Sequence, residues 1–560
     1  MSKKSNFYLI ISFALILGAL ADYLFYQKPI GISFLAFNLI VIIFSLILAK
    51  RFEIKISKTQ IFILISLLMF SAGMFLRASS FLGFFNFWGS VYLIFFFFSL
   101  FLDKNILNFS FLGYIASPIS FFLKSFRGAA RFIEKHKSAF PENKKIGSKE
   151  FRGVIKGVFI AAPFLVILCW LLSSADPVFQ AYLEKVISFN INFEIILRAL
   201  IILVVSYIFL GVFSKITEDQ KTEDIKSETG ENKLLGFIES STVLILVELL
   251  FLAFIAVQFF YLFGGKDYVW GIEEYITYAQ YAKKGFYELM AASIISFFLI
   301  YGIDILGKRE SLKEKKVFKI LGAVLILEMS IIIYSAWMRM AVYADGYGLT
   351  FSRFLVFALL LWIFSVFLIF LYKIILEKKK AVFLFFIFCL SIMFWAGINL
   401  INPDGFIAGE NMKRLTQGKE LDLFYLSNLS IDAIPETVKI FKMDVSEEIK
   451  MEVARDLYYN YSLFSESWQY NFYGNNPISF KKKIENAEKK QNENWQSFNL
   501  SEKKALLSIR ENYKEIVKYQ TEYFQKEAEK CREEIKTCEG KWGCNAEMCE
   551  IYEKSAEMDR

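Results

Sequence analysis

A single histidine, His136, stands among 560 residues. It lies in a basic connection, so histidine-based metal sites and Ser–His or Cys–His nucleophile pairs have no foothold at the opposite face. No G-x-x-x-x-G-K-[ST] phosphate loop, no Gly-rich dinucleotide fingerprint and no kinase signature occurs. The sequence therefore implies no cofactor and no metal. No strong internal repeat is visible, which disfavours the inverted-repeat transporters. The formal charge of +8 comes from short connections beside apolar runs, so nucleic acid is not an expected partner.

Apolar and aromatic side chains are abundant, at 56% and 18% of the chain, which is too many for a soluble domain. A hydrocarbon layer of about 30 Å takes roughly 20 apolar residues per helix. Eleven such runs can be read, at 7–26, 31–49, 60–76, 81–102, 154–173, 195–214, 241–263, 289–306, 317–342, 353–373 and 381–400. The expected fold class is an all-α integral membrane protein of about eleven transmembrane helices, followed by an α-helical extracytoplasmic C-terminal domain. Its expected parts are an N-terminal four-helix membrane segment (1–102), a basic cytoplasmic connection with an amphipathic interfacial helix (103–153) and a seven-helix membrane core (154–400). An extracytoplasmic helical domain (401–510) and a Cys-containing helical hairpin (511–560) complete it. The first run lacks a small-residue cleavage pattern, and Asp22, Tyr23 and Tyr26 follow its core, the pattern of a retained signal anchor.

Lysine and arginine set the direction of threading. Lys50, Arg51, Lys55 and Lys58 follow the second run, and the 103–153 connection is basic from Lys124 to Arg152. Lys308, Arg309 and Lys313 to Lys316 follow the eighth run, and Lys378 to Lys380 the tenth. The intervening connections are nearly bare. The positive-inside rule then places the N-terminus in the cytoplasm and the C-terminal domain outside the plasma membrane. Within 115–135, Ile115, Ile119, Phe122, Phe126, Ala129 and Ile133 share one helical face, and Lys124, Arg127, Arg131 and Lys135 the opposite one. That pattern suits a helix in the headgroup layer binding anionic lipid; the alternative is a helix packed under the bundle.

With that direction, the unusual polar motifs gather at the outer face. Ser173-Ser174-Ala175-Asp176-Pro177-Val178-Phe179 follows the fifth run, and Tyr278-Ala279-Gln280-Tyr281-Ala282-Lys283-Lys284-Gly285-Phe286-Tyr287-Glu288-Leu289 leads into the eighth. Tyr347-Gly348-Leu349-Thr350, then Arg353, joins the ninth and tenth, and Asn402-Pro403-Asp404-Gly405-Phe406-Ile407-Ala408 follows the eleventh. Leu421 to Leu426, Asp432-Ala433-Ile434-Pro435 and Trp495-Gln496-Ser497-Phe498-Asn499-Leu500 belong to the same set. Together these segments, spread from about residue 150 to 505, resemble a bacterial polytopic membrane family known only as a domain of unknown function (4173 or 4153-like). That resemblance implies a membrane protein and supplies no activity, substrate or catalytic residue. The candidate outer cluster is Asp176, Tyr281, Glu288, Tyr347, Arg353, Asn402 and Asp404.

Charges at membrane depth are costly and are usually paired or functional. Glu328 and Arg339 share a helical stripe, and Glu248 lies on another run, so these three are the candidate intramembrane charges. Cys531, Cys538, Cys544 and Cys549 flank a Gly540-Lys541-Trp542-Gly543 turn, which suggests nested Cys531–Cys549 and Cys538–Cys544 disulfides. A zinc site is the rival, without the tight Cys-x-x-Cys pairs of structural zinc. Cys169 and Cys389 lie alone in apolar runs and read as packing residues. The leading functional reading is a non-enzymatic envelope sensor, binding or scaffold protein with an extracytoplasmic ligand or protein partner. The alternative is a transporter or lipid translocator using the intramembrane charges, and a weaker one is an enzyme of outer carboxylates such as Asp176, Glu288, Asp345 or Asp404.

Overall fold

The computed structural model describes residues 3–101, 109–135, 168, 171–180, 193–217, 234–263, 286–460, 479–537 and 546–557. Within them the regular elements are helices, and an isolated bridge joins Leu235 to Gly307. Among the described residues, ten helices are long and apolar enough to cross a membrane. They are α1 (Lys3–Phe25), α2 (Ile32–Arg51), α3 (Lys58–Leu76), α4 (Ser80–Ser99), α6 (Phe193–Thr217), α7 (Phe237–Phe263), α8 (Phe286–Leu306), α9 (Leu312–Tyr347), α10 (Phe351–Ile375) and α11 (Lys380–Ile401). The expected run at 154–173 lies almost wholly outside the described residues.

Local sequence marks where these helices start. Ser57 and Ser311 form capping boxes with Gln60 and Glu314, and Thr350 accepts the Arg353 N–H at the head of α10. The 36 residues of α9 span about 54 Å at 1.5 Å each, longer than the hydrocarbon layer needs.

Inside a membrane, apolar side chains cannot tell helix faces apart, because lipid is as apolar as leucine; small and polar residues do. α1 lies along α6 where Gly18 meets the Ile202 carbonyl and Ser206. Asn38 donates to Ser71 at 2.8 Å, linking α2 to α3. Asn86 of α4 and Asn399 of α11 exchange two amide bonds at 2.8 and 2.9 Å. Arg198 of α6 grips Asp22 of α1 at 2.9 to 3.2 Å through two nitrogens, a partnership that neither sequence position announces.

The amphipathic segment becomes α5 (Phe111–Lys135). It packs on α4 and α6 through a third face of Tyr114, Pro118, Phe121, Ser125, Gly128 and Phe132. Gly128 and Gly211 sit at the crossing with α6, where a Cβ on Gly211 would strike the Ser125 carbonyl. Ile115, Ile119 and Ile133 stay exposed on one flank, and Lys124, Arg127 and Arg131 on the other.

Beyond α11 the chain builds a helical domain from α12 (Pro403–Thr416), α13 (Leu423–Ser427), α14 (Ile434–Thr437), α15 (Glu447–Asn460), α16 (Phe480–Glu493), α17 (Leu500–Glu511), α18 (Tyr513–Thr537) and α19 (Ala546–Glu557). Phe441, Leu457, Phe480, Ile509, Ile516 and Phe524 share its core. The hairpin of α18 and α19 enters that same core through Tyr519, Phe524 and Ala556. Cys531 and Cys549 form a disulfide with Cα atoms 5.7 Å apart; Cys538, Cys544 and Cys169 lie outside the described residues.

The α1–α2, α3–α4 and α9–α10 turns and the end of α11 meet this domain at one end of the bundle. The basic connections Lys50–Lys58, Lys308–Lys316 and Lys378–Lys380 lie at the other end, as the alternation of helices requires.

Candidate functional site

The junction of domain and bundle begins with one reversed residue. Asn402 takes a left-handed conformation, φ 58°, which asparagine tolerates better than most residues. The chain turns there from α11 into α12, with Pro403 at the first helical position and the Gly405 N–H directed at Asn402 Oδ1, 3.4 Å away. The other half of the amide, Nδ2, donates to the Asp432 carbonyl at 3.1 Å.

Asp432 is the hub. Its carboxylate is 2% exposed. Oδ2 accepts the backbone N–H groups of Ala78 and Ser79 at 3.0 and 2.9 Å, just ahead of α4. Oδ1 accepts the Ser501 hydroxyl. An anion at a helix N-terminus meets unpaired N–H groups and the positive end of the helix dipole, so this placement is favourable twice over. Asn499 completes the grip: its Nδ2 donates to the Arg77 carbonyl at 2.9 Å, and its Oδ1 caps α17 through the Ser501 N–H at 2.9 Å. Arg77 in turn donates to the Asn399 and Leu400 carbonyls at 2.6 and 3.1 Å. Burial pushes its guanidinium below the ordinary arginine value, and Asp432 nearby opposes that.

Asp404 lies beside the hub and accepts the Ser430 hydroxyl, which also reaches Asp432 Oδ2 at 3.3 Å. Burial raises the Asp404 carboxyl above its ordinary value; the Ser430 bond opposes this, and the charge of Asp432 adds to it. Next to this pair a cleft of about 620 Å³ opens between bundle and domain. Phe81 and Phe351 of the bundle form one wall, Tyr425, Leu429 and Leu457 of the domain another, and Asp404 and Asp456 supply the acid. Burial likewise raises Asp456, opposed by its 2.8 Å partner Arg455.

A second clamp holds the α9–α10 turn. Gly348 has φ 82° and lies against Asn411 and Arg414, so a side chain there is excluded twice. Asn411 reads the Leu349 backbone in both directions, at 2.7 and 2.8 Å. The Tyr425 hydroxyl accepts the Phe351 N–H at 2.6 Å. Arg414 donates to the Asp345 carbonyl at 2.8 Å, and Lys419 pairs with the Asp345 carboxylate. Arg353 donates to the Tyr347 and Gly348 carbonyls and stacks 4.2 Å from the Tyr343 ring.

The structure thus divides the sequence candidates. Asn402 and Asp404 belong to the hub, and Tyr347 and Arg353 to the turn clamp. Asp176 caps its own exposed turn through the Val178 N–H at 2.7 Å, Glu288 is exposed in the first turn of α8, and Tyr281 lies outside the described residues. Asp432, Ser430, Asn499, Ser501, Asn411 and Arg77 were not among the candidates, although Asp432 and Asn499 stand in motifs read from sequence. No group of three or more metal-binding side chains occurs among the described residues.

Comparison with known proteins finds one family. The profile of the Domain of unknown function (DUF4153) matches residues 64–440, more than half of the chain. The match takes in the α3–α4 turn, Asn402, Asp404 and Asp432, and ends before Asn499 and Ser501. No curated protein and no solved structure matches the chain. The chain is a multi-pass membrane protein and belongs to the DUF4153 family, a domain of unknown function.

Proposed function

We propose that this is a non-enzymatic binding protein of the cell envelope, which holds a helical domain against the outer surface of the plasma membrane and binds an amphiphile in the cleft between them. The observation that carries this reading is the make-up of the cleft: one wall is bundle, the other is domain, and both are apolar with carboxylates between them. A ligand there contacts both parts at once. Phe81 and Phe351 stand at the end of the transmembrane helices, so an acyl chain has a short path to them from the outer leaflet. Asp404, which has no ion pair among the described residues, calls for a cationic head beside the apolar walls, and an ammonium-bearing amphiphile meets both demands. The sidedness rests on the basic connections at the opposite end of the bundle. The exposed flanks of α5, apolar beside Lys124, Arg127, Arg131 and Lys135, support contact with anionic lipid on the cytoplasmic side.

The test uses the full chain in nanodiscs with a photoreactive lipid bearing a primary amine. Crosslinks are expected on cleft residues. They are lost in Asn428→Trp, which fills the cleft from an exposed position, and weakened in Asp404→Asn. Labelling that ignores both substitutions, or that a choline head or an anionic head matches, defeats the reading. A reporter fused after Arg560 is expected outside the cell.

A further inference from the structure

Glu248 lies midway along α7 and Glu328 midway along α9, and these two helices pack side by side. The residues are 9% and 6% exposed. Their like charges repel across that contact. Oε1 of Glu248 and Oε2 of Glu328 are buried with no hydrogen-bond partner. Among the described residues, neither carboxylate has an ion pair, so the cation sharing the stripe of Glu328 does not neutralise it. The residues of α9 buried around Glu328, Leu325, Ile326, Met329 and Ile332, are apolar.

Charged groups on the packed helices stand at their ends. Arg339 is eleven positions along α9, about 16 Å away. On α8, Asp304 is held by Lys373 of α10 and by Arg309, and Glu288 is at the opposite end. Arg353 begins α10 and Glu239 begins α7. The Tyr301 hydroxyl of α8 is buried and adds no cation. Two carboxylates that share an apolar site cannot both stay ionised. A metal cation needs more ligands than two side chains supply, and no third metal-binding side chain joins them among the described residues. A proton needs only one oxygen to carry it and one to accept it.

We propose that Glu248 and Glu328 form an intramembrane proton-binding dyad, which carries a proton at neutral pH with one carboxyl donating to the other. This site is separate from the junction cleft and does not rest on the reading given to it. A dyad of this kind gives the bundle a group that gains and loses charge inside the membrane, the element a proton-linked movement of these helices requires.

The test is carbodiimide labelling of the full chain in liposomes at neutral pH. Apolar dicyclohexylcarbodiimide reacts with a protonated carboxyl: the acid oxygen bonds to the central carbon, the proton goes to nitrogen, and nothing leaves. Peptide mapping is expected to find the adduct on Glu248 or Glu328, absent with a water-soluble carbodiimide and unchanged by added sodium chloride. Glu248→Gln and Glu328→Gln are each expected to leave the adduct on the remaining glutamate, and the double variant to lose it. The wild-type result decides even if a variant fails to fold. No adduct on either residue, or an adduct that sodium suppresses, overturns the proposal.

Discussion

Asp432 holds the backbone N–H of Ser79 at 2.9 Å, although 353 positions separate the two residues. The same carboxylate takes the Ala78 N–H and the Ser501 hydroxyl, so one side chain joins the α3–α4 turn, α17 and its own loop. Asp432→Ala leaves two amide donors without an acceptor beside a Ser79 that is 7% exposed. At roughly 1–3 kcal/mol for each unsatisfied buried donor, docking of the domain should weaken by about 2–6 kcal/mol. Asp432→Asn keeps one acceptor and should cost less. Hydrogen exchange in nanodiscs checks this: amides of Ala78 to Leu82 speed up in the alanine variant, and those in the core of α15 and α18 do not. Unchanged protection at Ala78 and Ser79 would refute the role given to Asp432.

Acidity should tune the same junction through Asp404. Its carboxyl is raised by burial, so the docked state binds a proton more readily than the free domain does. The stabilisation from this group is therefore complete below the ordinary carboxylate range and is lost as pH rises through the raised value. Melting of the full chain should fall across that window, and Asp404→Asn should flatten the fall. An ammonium-bearing ligand acts in the opposite sense: it favours the ionised form, so its binding should tighten as pH rises and release a proton. A melting profile that is identical in wild type and Asp404→Asn would remove Asp404 from this account.

The helices and their alternation were legible because hydrocarbon thickness and charge bias act on composition alone; the Cys531–Cys549 pairing was legible because a turn between four cysteines is a local feature. The motifs around Asn402, Asp432 and Asn499 also stood out in sequence. What they do did not, because each acts on backbone that lies hundreds of positions away. Arg353 stood out as a candidate, but its bonds to the Tyr347 and Gly348 carbonyls, which tie that turn to the start of its own helix, could not be read from the motif. Glu328 and Arg339 share a stripe in sequence, but a stripe does not fix which neighbouring helix packs on it. Glu328 faces Glu248, and Asp22 with Arg198 shows that real ion pairs here form between helices.

The α5–α6 crossing should be intolerant of size. A Cβ on Gly211 falls far inside van der Waals contact with the Ser125 backbone, and backbone cannot swing aside as a side chain can. Gly211→Val should separate the two helices and destabilise the bundle by about 3 kcal/mol or more, at the upper end of overpacking costs. Gly302→Ala, which meets open space on α8, is the control and should be close to neutral. Thermal unfolding of the two purified variants compares them directly. Equal melting would mean that α5 is not seated on α6 as described.

The disulfide ties chemistry to sidedness. Cys531 and Cys549 lie 18 positions apart, a loop whose closure contributes about 3 kcal/mol in the chain-entropy model. Reduction should loosen α19 from α18 first, since Tyr552 and Ala556 reach the domain core only through that hairpin. Non-reducing peptide mapping of protein taken from membranes should recover the Cys531–Cys549 peptide. In intact cells, a membrane-impermeant reductant followed by an impermeant thiol reagent should label both cysteines. Such bonds persist where the environment is oxidising and not in a reducing cytosol. If the bond is recovered but only permeant reagents reach it, the domain is oxidised and enclosed, and the outward orientation inferred from the lysines and arginines is wrong.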